Sequence, residues 1–237
     1  MSVSLAVEGV TVRYGGVVAL DAVSLRVAAG SVVGLIGPNG AGKTTLINAV
    51  TGVVRPSSGT ISLGDLRIDR LPQHRVALSG VARTYQNIRL FGSLTVADNV
   101  RAGAYRRPGT LRDDAVRALL ARALVGDRDL RARAGTLPYG EQRRLEIARA
   151  LAADPSVLLL DEPAAGMNPR ETGELGALVR GIAQSGTCVL LVEHDMSLVS
   201  AVCDRVTVLN FGEVIAEGTP AQVAREPAVI EAYLGTA

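Results

Sequence analysis

A chain of 237 residues is longer than one small module needs and shorter than two ordinary domains, which fits one globular unit with an added lobe. With 48% hydrophobic and 20% charged residues, it holds too much apolar material for a disordered chain. A formal net charge of +2, 3% aromatics and no Trp argue against a dedicated nucleic-acid binder and against base-stacking platforms.

In chain order, the Met1–Arg13 start lacks a basic segment followed by an apolar one, so no secretory signal is expected. Leu5–Val12 and Val23–Val27 read as strands, and Ser31–Ile36 as a buried apolar strand. Gly42–Thr51 has helical spacing in Leu46, Ile47 and Val50, and Pro56–Gly59 is a turn before a short strand at Thr60–Leu63. From Thr95 to about Arg133 the pattern is helical and rich in Arg, Ala and Leu, with an apolar stripe at Leu119, Leu120, Ala123 and Leu124. Lying between two α/β portions, it predicts a separate helical lobe. The α/β rhythm then resumes with a helix at Gly140–Ala153, an apolar strand at Ser156–Leu160, a Pro-opened helix at Pro169–Ala183 and an apolar strand at Thr187–Val192. Asn210-Phe211-Gly212 predicts a hairpin between Arg205–Leu209 and Glu213–Ala216, and short helices near Pro220–Arg225 and Pro227–Tyr233 follow. No apolar run reaches the 18 residues of a membrane span. Cys188 and Cys203 fall in apolar segments, as buried thiols of a reducing compartment do.

Three segments carry chemistry. Gly37-Pro38-Asn39-Gly40-Ala41-Gly42-Lys43-Thr44-Thr45 fits a phosphate-binding loop set between a strand and a helix. Its glycines permit a turn whose backbone N–H groups converge on phosphate oxygens at a helix N-terminus. Lys43, the one lysine among 25 basic residues, supplies a point charge to the β- and γ-phosphates, and the Thr44 hydroxyl suits magnesium. Val157–Leu160 then makes a central strand ending in Asp161, where magnesium would be held. Glu162 follows at once, placed to orient or deprotonate a water that attacks the γ-phosphate. The third segment, Leu137–Leu151, has a Gly-containing turn that opens a helix, a second anion-binding geometry. One phosphate loop needs no second anion site in the same chain unless a partner's nucleotide docks there.

On these motifs the sequence resembles the ATP-binding subunit of an ABC transporter, from about Leu5 to Gly235. The resemblance supplies a Walker A loop at Gly37–Thr45, a Q-loop at Gln86, a signature at Leu137–Glu141, Walker B at Val157–Asp161, then Glu162 and an H-loop at His194. It implies that Tyr14 stacks on adenine and that Tyr139, Gly140 and Glu141 face nucleotide. Thr44, Gln86 and Asp161 would hold Mg2+, and His194 would contact the γ-phosphate and help hold Glu162 and its water. In the family two such subunits sandwich two ATP molecules, each between one Walker A loop and the partner's signature. Ala82–Phe91, Gln142–Ile147, Glu162–Pro169 and the ending Ala232-Tyr233-Leu234-Gly235 are similar to the branched-chain amino-acid uptake branch. His74 matches nothing and reads as solvated.

Several positions depart from the general family. Pro138 stands where a serine hydroxyl is usual and removes a backbone donor. Tyr139 replaces a glycine, Glu141 a glutamine, and Asn168 the aspartate that follows Walker B; Tyr139 and Asn168 recur in the amino-acid branch. The lobe is shorter than that branch usually has. The resemblance implies an α/β P-loop NTPase fold with a mainly parallel sheet, an N-terminal antiparallel strand group and an inserted helical lobe. Residues 1–86 and 137–237 would form the core of one ATP-binding domain and 87–136 the lobe. The implied function is ATP hydrolysis driving import of branched-chain amino acids. Its partners would be a second ATP-binding subunit, membrane permeases and, indirectly, a substrate-binding protein, with no nucleic acid. The place of action would be the cytoplasmic face of the membrane, peripherally. The alternatives are the same engine serving urea or another small polar solute, or a soluble ABC-type ATPase factor.

Overall fold

The computed structural model describes residues 3–106, 111–126 and 129–234. Residues 107–110 and 127–128 of the predicted helical stretch, and Gly235 at the end of the resemblance, lie outside the described residues.

The chain opens with β1 (Leu5–Tyr14), β2 (Val17–Val27), β3 (Val32–Ile36) and α1 (Lys43–Val50). Next come β4 (Ser58–Leu63), β5 (Leu66–Arg67), α2 (Gln73–Leu78) and β6 (Val81–Arg83). The lobe holds α3 (Val96–Gly103) and α4 (Asp113–Arg122), and a 3-10 turn at Ala134–Thr136 leads into α5 (Tyr139–Leu151). Then follow β7 (Val157–Asp161), α6 (Pro169–Gln184), β8 (Cys188–Val192), α7 (Met196–Val202), β9 (Arg205–Asn210), β10 (Glu213–Gly218), α8 (Pro220–Val223) and α9 (Pro227–Leu234).

The strands form two sheets. One is antiparallel, in the order β2-β1-β4-β5. The other runs β10-β9-β3-β8-β7-β6 and is parallel from β9 to β6, with β10 antiparallel at its edge. This is an α/β fold with the mainly parallel sheet and the N-terminal antiparallel group that the sequence implies. The central strands are apolar throughout because both faces are covered. In β7, Val157 and Leu159 pack in the core shared with the antiparallel sheet and α1, while Leu158 and Leu160 point to the core under α6 and α7. β8 alternates the same way, Cys188 and Leu190 against Val189 and Leu191. A third cluster joins Val96, Val100, Val116 and Leu120 to Leu145 and Ala148 of α5. The opposite side of α5 places Ile147 and Leu151 in the main core, so this helix is shared between the lobe and the sheet.

Some local expectations needed adjustment. β2 starts at Val17 rather than Val23, because pairing with β1 through Tyr14↔Val17 extends it despite the polar residues it contains. The continuous helical pattern from Thr95 resolves into two helices among the described residues, the first capped by the Thr95 hydroxyl accepting from Asp98 N–H. The short elements α2, β5, β6 and α7 have no counterpart in the sequence pattern; α7 is started by Asp195, whose carboxylate accepts from the Ser197 and Leu198 N–H groups.

Candidate functional site

The loop between β3 and α1 is shaped by glycines that no other residue could replace. Gly37 has φ 148°, and a Cβ there would lie 2.1 Å from the Leu209 carbonyl oxygen. Gly42, at φ 105°, caps α1 with no side chain, and a Cβ would sit 2.8 Å from Leu20 and 2.9 Å from the Ala19 carbonyl. The first-turn amides of α1 are therefore left without side-chain acceptors and aim into a cavity of about 500 Å³. Asn39, Gly40, Lys43, Thr44, Gln86 and Glu162 are among its lining residues. The Lys43 ammonium donates to the Gly37 and Pro38 carbonyls at 2.6 and 2.9 Å. Burial draws it below the usual lysine range, while the Glu162 and Asp161 carboxylates act in the opposite sense.

The carboxyl ends of β7 and β8 deliver the acidic part. Asp161 is buried, and Arg83 at the end of β6 donates to its Oδ2 at 2.8 Å. The same guanidinium reaches Asn48 on α1 at 2.7 Å, so the phosphate-loop helix and the β7 carboxylate share one cation. Glu162 lies just past the strand with φ 46°, in the left-handed region that is strained for a residue with a Cβ. Its N–H donates to the Val192 carbonyl at 2.9 Å. Such strain persists where the surroundings over-determine it, a pattern of functional sites. The Gln86 amide donates to Glu162 Oε2 at 2.8 Å, and His194 Nδ1 stands 4.0 Å from the same oxygen. Buried Glu193 secures the neighbourhood by accepting from the Ala164 and His194 N–H groups at 2.8 and 3.2 Å. Burial pushes its carboxyl above the ordinary glutamate range.

Asp161, Gln86 and Thr44 together offer a carboxylate oxygen, an amide oxygen and a hydroxyl. Arg83 takes only Oδ2 of Asp161, and Gln86 meets Glu162 through its nitrogen, so Asp161 Oδ1 and the Gln86 oxygen remain as donors. A hard-oxygen set with a single carboxylate, completed by substrate phosphates, fits magnesium.

The other expected residues sit elsewhere. Tyr14 ends β1, half-exposed, beside the cavity rather than lining it; its strand partner Val17 does line it. Tyr139, Gly140 and Glu141 begin α5 and do not line the phosphate-loop cavity of their own chain. Pro138 serves as the helix N-cap without a side-chain bond, its carbonyl accepting from the Glu141 and Gln142 N–H groups. Asn168 caps α6 in a reciprocal box with Glu171, at 3.0 Å each way, which accounts for a neutral residue here because Asn caps as well as Asp. His74 is exposed on α2. Sequence reasoning gave no part to Arg83 or Glu193. Their signal was faint: a charged residue at the end of a short apolar strand.

The description "ABC transporter" matches residues 20–165, more than half of the chain. The chain belongs to the ABC transporter family. A second description, of branched-chain amino acid ATP-binding cassette transporters, matches residues 213–237. The chain is 43% identical over 250 residues to the high-affinity branched-chain amino acid transport ATP-binding protein BraF of Pseudomonas aeruginosa, with 98% of each chain covered. It is 42% identical, with the same coverage, to the counterpart LivG of Escherichia coli K12. An ATP-binding cassette of an ABC transporter, solved in its ADP conformation, superimposes with a TM-score of 0.89 at 27% identity over 100% of both chains. The cassette is thus an ATPase of this family. No helix among its described residues is long and apolar enough to cross a membrane.

Proposed function

We propose that this cassette hydrolyses ATP to power a branched-chain amino-acid importer, working peripherally at the cytoplasmic face of the membrane with separate permease subunits. The cargo reading is carried by the identity to BraF and LivG over nearly the whole chain. The hydrolytic reading rests on the Gln86–Glu162 contact beside the phosphate loop.

Triphosphate enters against the free amides of α1, and Lys43 exchanges the Gly37 and Pro38 carbonyls for phosphate oxygens. Thr44, Gln86 and Asp161 are the residues that would hold magnesium, which when bound offsets the phosphate charge. Glu162 takes the proton of the attacking water, and Gln86 and His194 keep its carboxylate in place. Tyr14 stacks on the adenine at the cavity rim. The start of α5, apart from its own chain's loop, meets the nucleotide of a second cassette, which is the reason for the partner subunit. The permease would receive the motion through the Gln86 segment and the lobe.

The test is uptake in a strain lacking this gene and supplied with wild-type or Lys43→Ala protein. Wild type should restore uptake of labelled leucine, isoleucine and valine, and the variant should not. Restoration of urea uptake alone would overturn the cargo while keeping the engine.

A further inference from the structure

Arg143 on α5 is fully buried, and no other fully buried side chain among the described residues is larger. A guanidinium in such a place is costly to desolvate unless its donors are met. Both terminal nitrogens are met, at their shortest bonds by the backbone that carries Gln86. Nη1 donates to the Tyr85 carbonyl at 2.5 Å and Nη2 to the Gln86 carbonyl at 2.6 Å. These two residues belong to no strand or helix, so no ladder would otherwise hold their carbonyls. Nη1 also donates to Glu146 Oε2 at 3.2 Å, and Nη2 to the Tyr139 hydroxyl at 3.1 Å, while Nε has no partner. Glu146, equally buried, accepts from the Arg89 N–H at 3.0 Å, and Arg149 donates to the Arg89 carbonyl. Residues 143, 146 and 149 are successive neighbours three positions apart along α5, and Glu146 pairs with both arginines, at 3.2 and 3.4 Å. One helix face therefore grips the main chain at 85, 86 and 89.

We infer that Arg143 is a positioning residue for hydrolysis, tying the Gln86 main chain to α5 so that the Gln86 amide meets Glu162. The inference rests on the proposed roles of Gln86 and Glu162. A planar fork is required because two successive carbonyls are held at once, and a lysine ammonium cannot match that geometry. The Tyr139 hydroxyl joins the start of the same helix to the fork. Displacement of α5 by a nucleotide on a second cassette would thereby reach Gln86 without crossing the sheet.

A double-mutant cycle between Arg143→Lys and Gln86→Ala tests this in the full chain, reading kcat at saturating ATP, ATP affinity and Tm. Arg143→Lys should lower kcat by about 10- to 100-fold, the scale of a misplacement near 1 Å, with ATP affinity unchanged within about twofold. In the Gln86→Ala background the same change should cost no further activity, although its effect on Tm should be equal in both backgrounds. Equal kcat losses in both backgrounds would make Arg143 merely structural and overturn the inference. So would an Arg143→Lys protein as fast as wild type while Gln86→Ala is slow. Wild-type turnover by Gln86→Ala would instead remove the role of Gln86, and this inference with it. Should Arg143→Lys not fold, the pair Arg143→Gln with Glu146→Gln carries the same cycle, since it neutralises both members of the buried pair at once while Arg149 keeps its bond to the Arg89 carbonyl.

Discussion

Replacing Glu162 by glutamine removes a proton-accepting oxygen and one negative charge while keeping the side chain's length. The strained φ of 46° is borne equally by both residues, so the substitution changes no backbone term. A glutamine here can turn its oxygen toward Gln86 Nε2 and retain the 2.8 Å bond, leaving its own NH2 where a water proton would have gone. Stability should therefore hold within about 0.5 kcal/mol, a Tm change of about 1–2 °C at this chain length. ATP should bind as well or slightly better, because a carboxylate close enough to act on Lys43 no longer repels the phosphates. The chemical step should slow by about 10²–10⁴-fold, which raises the barrier by about 2.7–5.4 kcal/mol. Single-turnover phosphate release, alongside a fluorescence titration of ATP, separates the two effects. Turnover within about threefold of wild type at full ATP occupancy would refute Glu162 as the general base. Glu162→Gly sharpens the test: relief of the left-handed strain should raise Tm by about 2–4 °C for each kcal/mol recovered, in a protein that no longer hydrolyses ATP.

Lys43→Ala should abolish measurable ATP binding by calorimetry, since it deletes the cation now parked on the Gly37 and Pro38 carbonyls. Tyr14→Ala should weaken ATP and ADP alike by about 1–3 kcal/mol, and unchanged affinity would return Tyr14 to the role of a strand end. For assembly, Glu162→Gln with ATP and magnesium should dimerise in light scattering at low salt, and adding Gly140→Asp should prevent it. A Cβ at Gly140 would lie 2.8 Å from Glu171 Oε1, so a thermal melt of the double variant must first show that its own α6 cap survives. Burial pushes the Cys203 thiol up to about 12 and raises Cys188 as well, so neither should react with a thiol reagent at pH 8 until the protein is unfolded. The sign follows: Cys203 favours folding fully below the thiol's ordinary pKa of 9.0, and that contribution is lost as pH rises from there through about 12. Rapid native labelling at pH 8 would refute the burial.

What the sequence determined by itself is what neighbouring residues decide. The glycine-rich loop between β3 and α1 was legible because its strand, glycines, lysine and helix are contiguous in the chain. The central strands announced themselves because burial on both faces leaves an apolar run, as in Val157–Leu160. Short elements escaped notice: β6 has three residues, too few for any period to show, and exists because β7 pairs with it. The acidic centre depended on sheet order. Setting β7 beside β8 brings Glu162 against the Val192 carbonyl and His194, and nothing local to either segment specifies that adjacency. The same holds for Arg83, which meets Asp161 from 78 positions away, and for Arg143, which meets Gln86 from 57. Nothing in the neighbouring sequence names a partner for either guanidinium. Only when the parallel sheet and α5 enclose them does desolvation force each to find a partner, and the chain order does not record which partner that is.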